Sequence, residues 1–179
     1  DDEIYDLLEE LSSKTYLTVE LGLQTIHEHT STEINRAHDL DCFTDCVTEL
    51  KKRKINVVVH IINGLPGESK EDMLETLEYV NKLGIEGIKI HLLHVMRNTK
   101  MGEDYLKNPF KMLSLDEYKD IVVEQIKRLD PNIIIHRLTG DAPRDLLIVP
   151  QWSLKKFVVM NEIDKELRKT ETYQGIDFK

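Results

Sequence analysis

Ile55-Asn56-Val57-Val58-Val59-His60-Ile61-Ile62, running directly into Asn63-Gly64-Leu65-Pro66-Gly67-Glu68-Ser69, is the stretch on which the reading of the fold turns. Its first part is a β-branched run broken only by Asn56 and His60, the habit of a strand covered on both faces. Two glycines and a proline then impose a tight turn, because they supply the dihedral angles that other residues resist. Ser69 with Asp72 three positions on resembles a capping box, and it opens a helix expected over 70–83. Met73, Leu74, Leu77 and Val80 form the apolar stripe of that helix, and Gly84 is placed to stop it. A covered strand feeding a helix is the unit from which parallel α/β sheets are built.

The same alternation extends both ways. Upstream, residues 16–24 read as a strand with Leu17, Val19, Leu21 and Leu23 on one face and Thr18, Glu20, Gly22 and Gln24 on the other. Ile4, Leu7, Leu8 and Leu11 recur before it at helical spacing. Between the two strands, Thr30-Ser31-Thr32 is expected to cap a short helix over 33–37. Phe43, Cys46, Val47 and Leu50 mark a second helix, whose lysine-rich end at 51–54 suits the helix dipole. Downstream come a strand at 88–95, a loop-like stretch at 97–112, a helix opened by Ser114, a buried strand at Ile133-Ile134-Ile135, an irregular stretch at 138–151 and a last helix over 154–167. An open wound sheet and part of a barrel both fit this pattern. Glu20, Gln24 and His60 on strand faces favour the barrel, whose interior can line a wet cavity.

Composition narrows the function classes. At 179 residues the chain is one domain in size, and 24 Lys+Arg against 33 Asp+Glu give a net charge of −9. No domain-wide basic field exists to grip phosphate backbones, although a local basic patch is left open. No apolar run approaches the length of a membrane span, and Asp1-Asp2-Glu3 is unlike a signal peptide's basic start, so a cytoplasmic location and no membrane partner are expected. Two cysteines, Cys42 and Cys46, are too few for a disulfide framework.

Val19-Glu20-Leu21-Gly22-Leu23-Gln24-Thr25, then Asn35-Arg36-Ala37-His38, then the run from His60 to Glu68 together resemble the radical S-adenosylmethionine (SAM) superfamily, in the branch of the Elongator catalytic subunit and oxygen-independent coproporphyrinogen oxidase. The whole chain, Gln151-Trp152-Ser153-Leu154-Lys155-Lys156 included, is similar to a bacterial group of Fe–S oxidoreductases in that superfamily. The resemblance implies the second half of a partial (β/α)6 TIM-like barrel with parallel strands. Residues 1–100 would supply its fourth to sixth strands, and residues 101–179 a C-terminal extension that completes or covers it.

The resemblance also implies a cofactor site. Gln24 falls where the family often meets the SAM ribose, with Glu20 on the same cavity-facing side. Arg36 falls where a basic residue can meet the SAM carboxylate, and His60 where relatives often carry an aspartate for the ribose hydroxyls. Gly64, Leu65 and Pro66 belong to the segment near adenine, and residues 91–94, His94 among them, border the same ring. The implied cofactors are SAM and a [4Fe–4S] cluster, cleaving SAM reductively to a 5′-deoxyadenosyl radical. The implied substrate is tRNA, modified at wobble uridines.

The family's Cys-x3-Cys-x2-Cys run is absent. Cys42-Phe43-Thr44-Asp45-Cys46 has the first gap and no third cysteine, so the chain is expected to be a C-terminal fragment whose cluster ligands lie elsewhere and which is inactive alone. Its expected partners are the N-terminal half of the same enzyme and, through an exposed edge at 16–24, a second copy or a covering segment. No catalytic residue and no metal ligand is assigned.

Plainer roles stand beside these. The two cysteines suit packing on a helix. His91 and His94, an odd number of positions apart on a strand, are expected on opposite faces and so unable to share an ion. Arg36 suits an exposed helix cation as well, and the lysine run a solvated helix end. Gly64 to Ser69 suits a plain turn, or a seat for an anion at a helix N-terminus in a non-radical α/β barrel that binds a ligand. A pure interaction module is the remaining class.

Overall fold

The computed structural model describes residues 2–179. In chain order it contains α1 (Asp2–Lys14), β1 (Thr18–Gln24), α2 (Glu28–Glu33), α3 (Leu40–Lys52), β2 (Asn56–Asn63), α4 (Lys70–Asn81), β3 (Gly87–Leu92), β4 (Val95–Met96), α5 (Lys100–Lys107), α6 (Leu115–Arg128), β5 (Ile134–Arg137), β6 (Leu147–Val149) and α7 (Lys156–Lys169). Four strands form one sheet in the order β1-β2-β3-β5, and every pair is parallel. The expected parallel α/β class is therefore what the chain adopts. Among the described residues no helix is long and apolar enough to cross a membrane.

Register explains how one sheet acquires two unlike faces. Leu21, Val59, Ile88 and Ile135 lie side by side across the four strands, and so do Gly22, His60, Lys89 and Arg137. The first row joins the core formed with Tyr5 and Leu8 of α1, Phe43 and Val47 of α3, Leu77 of α4, Tyr118 and Val122 of α6, and Val159 of α7. All five helices therefore cover one face, and the polar row is left on the other. The capping boxes read at the start of α4, and found again at Ser114 and Glu117 for α6, fix where these helices begin.

Several boundaries differ from expectation, each for a local reason. The short helix lies at 28–33 rather than 33–37, because Asn35 adopts φ 55° and Thr30 and Ser31 turn inward within the helix instead of capping it. The strand expected over 88–95 stops at Leu92. The chain leaves the sheet there, and Val95–Met96 pairs antiparallel with β6, which lies in the stretch expected to be irregular. The loop-like 97–112 contains α5, capped by Thr99, whose hydroxyl accepts from the Gly102 N–H at 3.0 Å. β5 is an edge strand with Ile134 61% exposed, so of the three isoleucines there only Ile133 is fully buried.

On α1, Tyr5 and Leu8 turn to the core while Ile4, Leu7 and Leu11 remain 58%, 55% and 41% exposed. The apolar stripe is thus split between two sides of the helix. β1, which follows it, is the other edge of the sheet.

Candidate functional site

The end of β1 is shaped by a glycine. The ladder between β1 and β2 slips between Gly22 and Gln24, and Gln24 takes φ 61°. Its amide folds back over Gly22, donating to the Gly22 carbonyl at 2.9 Å and the Leu23 carbonyl at 3.2 Å. A Cβ at position 22 would collide with that amide. Arg36 is only 3% exposed, not a surface cation. Its Nη1 donates to the Leu23 and Thr25 carbonyls at 2.9 and 2.6 Å and its Nε to the His38 carbonyl at 2.8 Å, while Nη2 is buried without a hydrogen-bond partner.

Gln24 and Arg36 share a cavity of about 280 Å³ with Leu65, Ile34, Ile62, Leu93 and Met101. Of the expected cofactor residues, Gln24, Arg36 and Leu65 thus come together. The 64–68 turn is held by φ +84° at Gly64 and +76° at Gly67, and the Gly64 N–H donates to the Met73 sulfur at 3.2 Å. Leu65 packs with Leu93 and Val95 in a small second core, and Pro66 is buried. Burial pushes the Glu68 carboxyl up, against hydrogen bonds from Thr25 and Thr30 that pull it down, and so ties the turn to the end of β1.

Just before the turn, Asn63 and Gln125 exchange two amide hydrogen bonds of 2.8 and 2.9 Å, both residues fully buried. The start of α4 already holds a carboxylate: Asp72 accepts from the N–H and the hydroxyl of Ser69 at 2.7 and 2.8 Å. An anion from outside has little to gain there.

A second group occupies the open face of the sheet. Glu20 hydrogen-bonds His60 at 2.8 Å and receives the Lys89 ammonium at 2.5 and 2.6 Å. The Lys89 ammonium, with His60, holds the Glu20 carboxyl below the usual carboxylate range. The His60 ring stacks on His91 at 5.2 Å between centroids. Burial, with the nearby charges of His60 and Arg137, pushes His91 down to about 4, and burial lowers His94 as well. Glu20 and His60 are therefore neighbours of each other rather than of Gln24 in the cavity.

The expectation that His91 and His94 point apart is not met. β3 ends at Leu92, so strand alternation no longer governs His94, and both rings lie against Gly140. A Cβ at residue 140 would sit 3.3 Å from His91 Nδ1 and 3.3 Å from His94 Cε1. Lys89, Arg137, Thr139 and the cavity residues Ile34, Ile62 and Met101 are contributors that the sequence reading passed over. Lys89 and His91 were accessible to the alternation argument applied to β1, since Ile88, Ile90 and Leu92 take the other phase.

Neither cysteine lies at these sites. Cys42 is exposed on α3, and Cys46 is half-buried against the covered face, hydrogen-bonded to Tyr5. That contact is the chief cause of a Tyr5 hydroxyl pushed up to about 12. Two thiols one turn apart on an outer helix do not fit an iron–sulfur cluster. The cavity does fit SAM in kind: an apolar lining with one amide, that of Gln24, and one guanidinium nitrogen that makes no hydrogen bond and lies 3.9 Å from the Glu28 carboxylate.

Comparison with known proteins adds the lineage. The family model described as the radical SAM superfamily matches residues 1–80, and the one described as the radical SAM C-terminal domain matches residues 85–169. The chain belongs to the radical SAM superfamily. It is 48% identical to the uncharacterized protein YtqA of Bacillus subtilis over 97% of its own length and 54% of that protein's. It is 35% identical to MJ0486 of Methanocaldococcus jannaschii, over 98% of the chain and 55% of the relative. Elongator complex protein 3 of Saccharomyces cerevisiae is 26% identical over 72% of the chain and 24% of its own length.

In structure, this radical SAM chain superposes on the archaeal Methanocaldococcus infernus Elp3 lacking its N-terminus with a TM-score of 0.80, at 20% identity, over 97% of the chain and 40% of that protein. That likeness concerns the fold. The chain spans about half the length of the curated relatives it matches.

Proposed function

We propose that this chain is the C-terminal half of a radical SAM Fe–S oxidoreductase and forms one wall of its SAM pocket. The observation that carries the reading is the Nη2 of Arg36, buried without a hydrogen-bond partner and with only the Glu28 carboxylate, at 3.9 Å, as an ion-pair partner, beside the Gln24 amide in one apolar cavity. Buried donors without partners are rare, and a cation so placed suits a carboxylate. Gln24 would accept from a ribose hydroxyl, Arg36 would donate to the carboxylate of the amino-acid end, and Leu65, Ile62 and Leu93 would pack against apolar parts of the ligand and exclude water. In this superfamily, SAM with its cluster supplies a carbon-centred radical that takes hydrogen from a substrate. The cluster's ligands would lie on an N-terminal half, and this chain alone would be inactive.

The N-terminal half would also cover Ile4, Leu7, Leu11 and the free edge of β1; association of two copies through that edge is the alternative. For substrate class we take tRNA, modified at wobble uridines in the cytoplasm, from the likeness to the Elongator catalytic subunit.

The test is isothermal titration of SAM into the reconstituted full-length protein. Gln24→Ala and Arg36→Lys are expected to weaken binding roughly ten- to a hundredfold, the scale of a lost hydrogen bond to a charged group. Lysine is chosen at 36 because alanine would also leave the Leu23, Thr25 and His38 carbonyls unpaired. Wild-type affinity in both folded variants would show that the pocket is elsewhere.

A further inference from the structure

We propose that the open face of the sheet, at the far side of the row from β1, carries a subsite for an acidic group of the substrate, a carboxylate or a phosphate, built from Arg137 with His91, His94 and Thr139. The inference rests on the reading of this chain as half of a SAM-using barrel, and it adds what the substrate must bear. Three buried polar atoms there lack any hydrogen-bond partner: Nε2 of His91, Nε2 of His94 and Oγ1 of Thr139, a residue with no exposed surface at all. The two rings flank Gly140, with His91 Nδ1 and His94 Cε1 turned to it and room between them for no more than the missing Cβ, so both Nε2 atoms lie on ring edges other than the one facing the glycine. Such atoms are seldom left unsatisfied, and three of them around one glycine mark a place shaped for something polar.

The charges nearby decide its sign. Lys89 is already paired with Glu20 on one side, and Asp141 with Lys156 at 2.8 Å on the other. Arg137 lies in register with Lys89 and within electrostatic reach of both His91 and Asp141, yet its side chain makes no hydrogen bond or ion pair among the described residues. A guanidinium with unused donors repels a divalent cation and matches a two-oxygen anion. His91 and His94 are kept neutral by burial, so each can offer one ring N–H, and Thr139 can offer its hydroxyl. A metal ion would find only two ring nitrogens, with a fixed positive charge beside them.

The experiment uses this chain with nitrogen-15-labelled histidine, at pH 7 and low chloride, titrated separately with inorganic phosphate and with acetate. Resonances of His91 and His94, assigned from His91→Gln and His94→Gln, should move saturably while those of His27 and His38 stay still. Arg137→Ala should weaken that binding at least tenfold, and Arg137→Lys, which keeps the charge, should recover part of it. Preference for phosphate points to a nucleotide backbone or phosphomonoester as the source, preference for acetate to a carboxylate substituent; either supports the subsite. No saturable movement with either anion in folded protein, or equal binding by Arg137→Ala, overturns it. A full-length protein that binds SAM but leaves these histidines indifferent to anions loses only the subsite, whereas anion binding without SAM binding counts against the cofactor pocket.

Discussion

Val57, Val59 and Ile61 of β2 and Ile88, Ile90 and Leu92 of β3 are almost wholly buried under helices, whereas in the other phase, where Val58 alone is as deeply buried, His60, Lys89 and His91 stand on the open face with Glu20. The same strands, read in two phases, supply a stabilising surface and a reactive one. Free energy on the covered face comes from apolar area removed from water and from close packing. On the open face, ion pairs and half-buried rings contribute little to stability and much to what can bind. Substitutions on the two faces should therefore separate fold from function.

The largest effect is expected from Ile90→Ala, which empties a fully buried position. It should cost about 2–5 kcal/mol in urea unfolding; a loss under 1 kcal/mol would mean that the covered face is not the stabilising one. Next, Gln125→Ala should cost about 1–3 kcal/mol by stranding the Asn63 amide. Replacing both residues with leucine should recover part of that loss, and a double-variant cost equal to the sum of the two single-variant costs would refute a coupled pair.

His91 sharpens the contrast through pH. Its folded value, about 4, lies below the ordinary 6.5, so the unfolded chain binds the proton more readily. Its contribution is fully present above pH 6.5 and is lost as pH falls towards 4, on the order of 1 kcal/mol by pH 5. His91→Gln should flatten the stability profile across that window, and an unchanged slope would assign it to other groups. The smallest effect belongs to Lys89→Met, expected within about 1 kcal/mol of wild type. Carbon-13 NMR should nonetheless show the Glu20 carboxyl titrating at higher pH, since its chief partner is gone; an unmoved titration would exclude that ion pair in solution.

The covered face was legible in the sequence because alternation in strands and three-to-four spacing in helices record burial directly. Residues 55–62, found as a strand over Asn56–Asn63, and the Ser69–Asp72 cap announced their type and, to within a residue, where they begin. Legibility failed where the folded chain overrides local pattern. Thr30 and Ser31 look like caps, yet both are buried within α2, where the Ser31 hydroxyl donates to the Glu28 carbonyl and the Thr30 hydroxyl pairs with the His29 ring. His91 and His94 were assigned to opposite faces by a rule that holds only within a strand, and the strand ends between them. Glu20 and His60 do share one face, but Gln24 parts from them because the register slips after Gly22 and its amide folds back over that glycine, which no spacing argument reveals.

The paired amides of Asn63 and Gln125 bear on the order in which this molecule acquires its shape. Asn63 directly precedes the Gly64 turn, while its partner lies 62 residues further on, in α6. During synthesis the turn leaves the ribosome with a polar group that water must serve until α6 arrives, so its final geometry is a late acquisition. A chain stopped at residue 100 should show rapid exchange of the Gly64 amide, slowing only when the remainder is supplied. The turn that opens into the Gln24–Arg36 cavity would then take its final shape only once α6 has been made and packed against it.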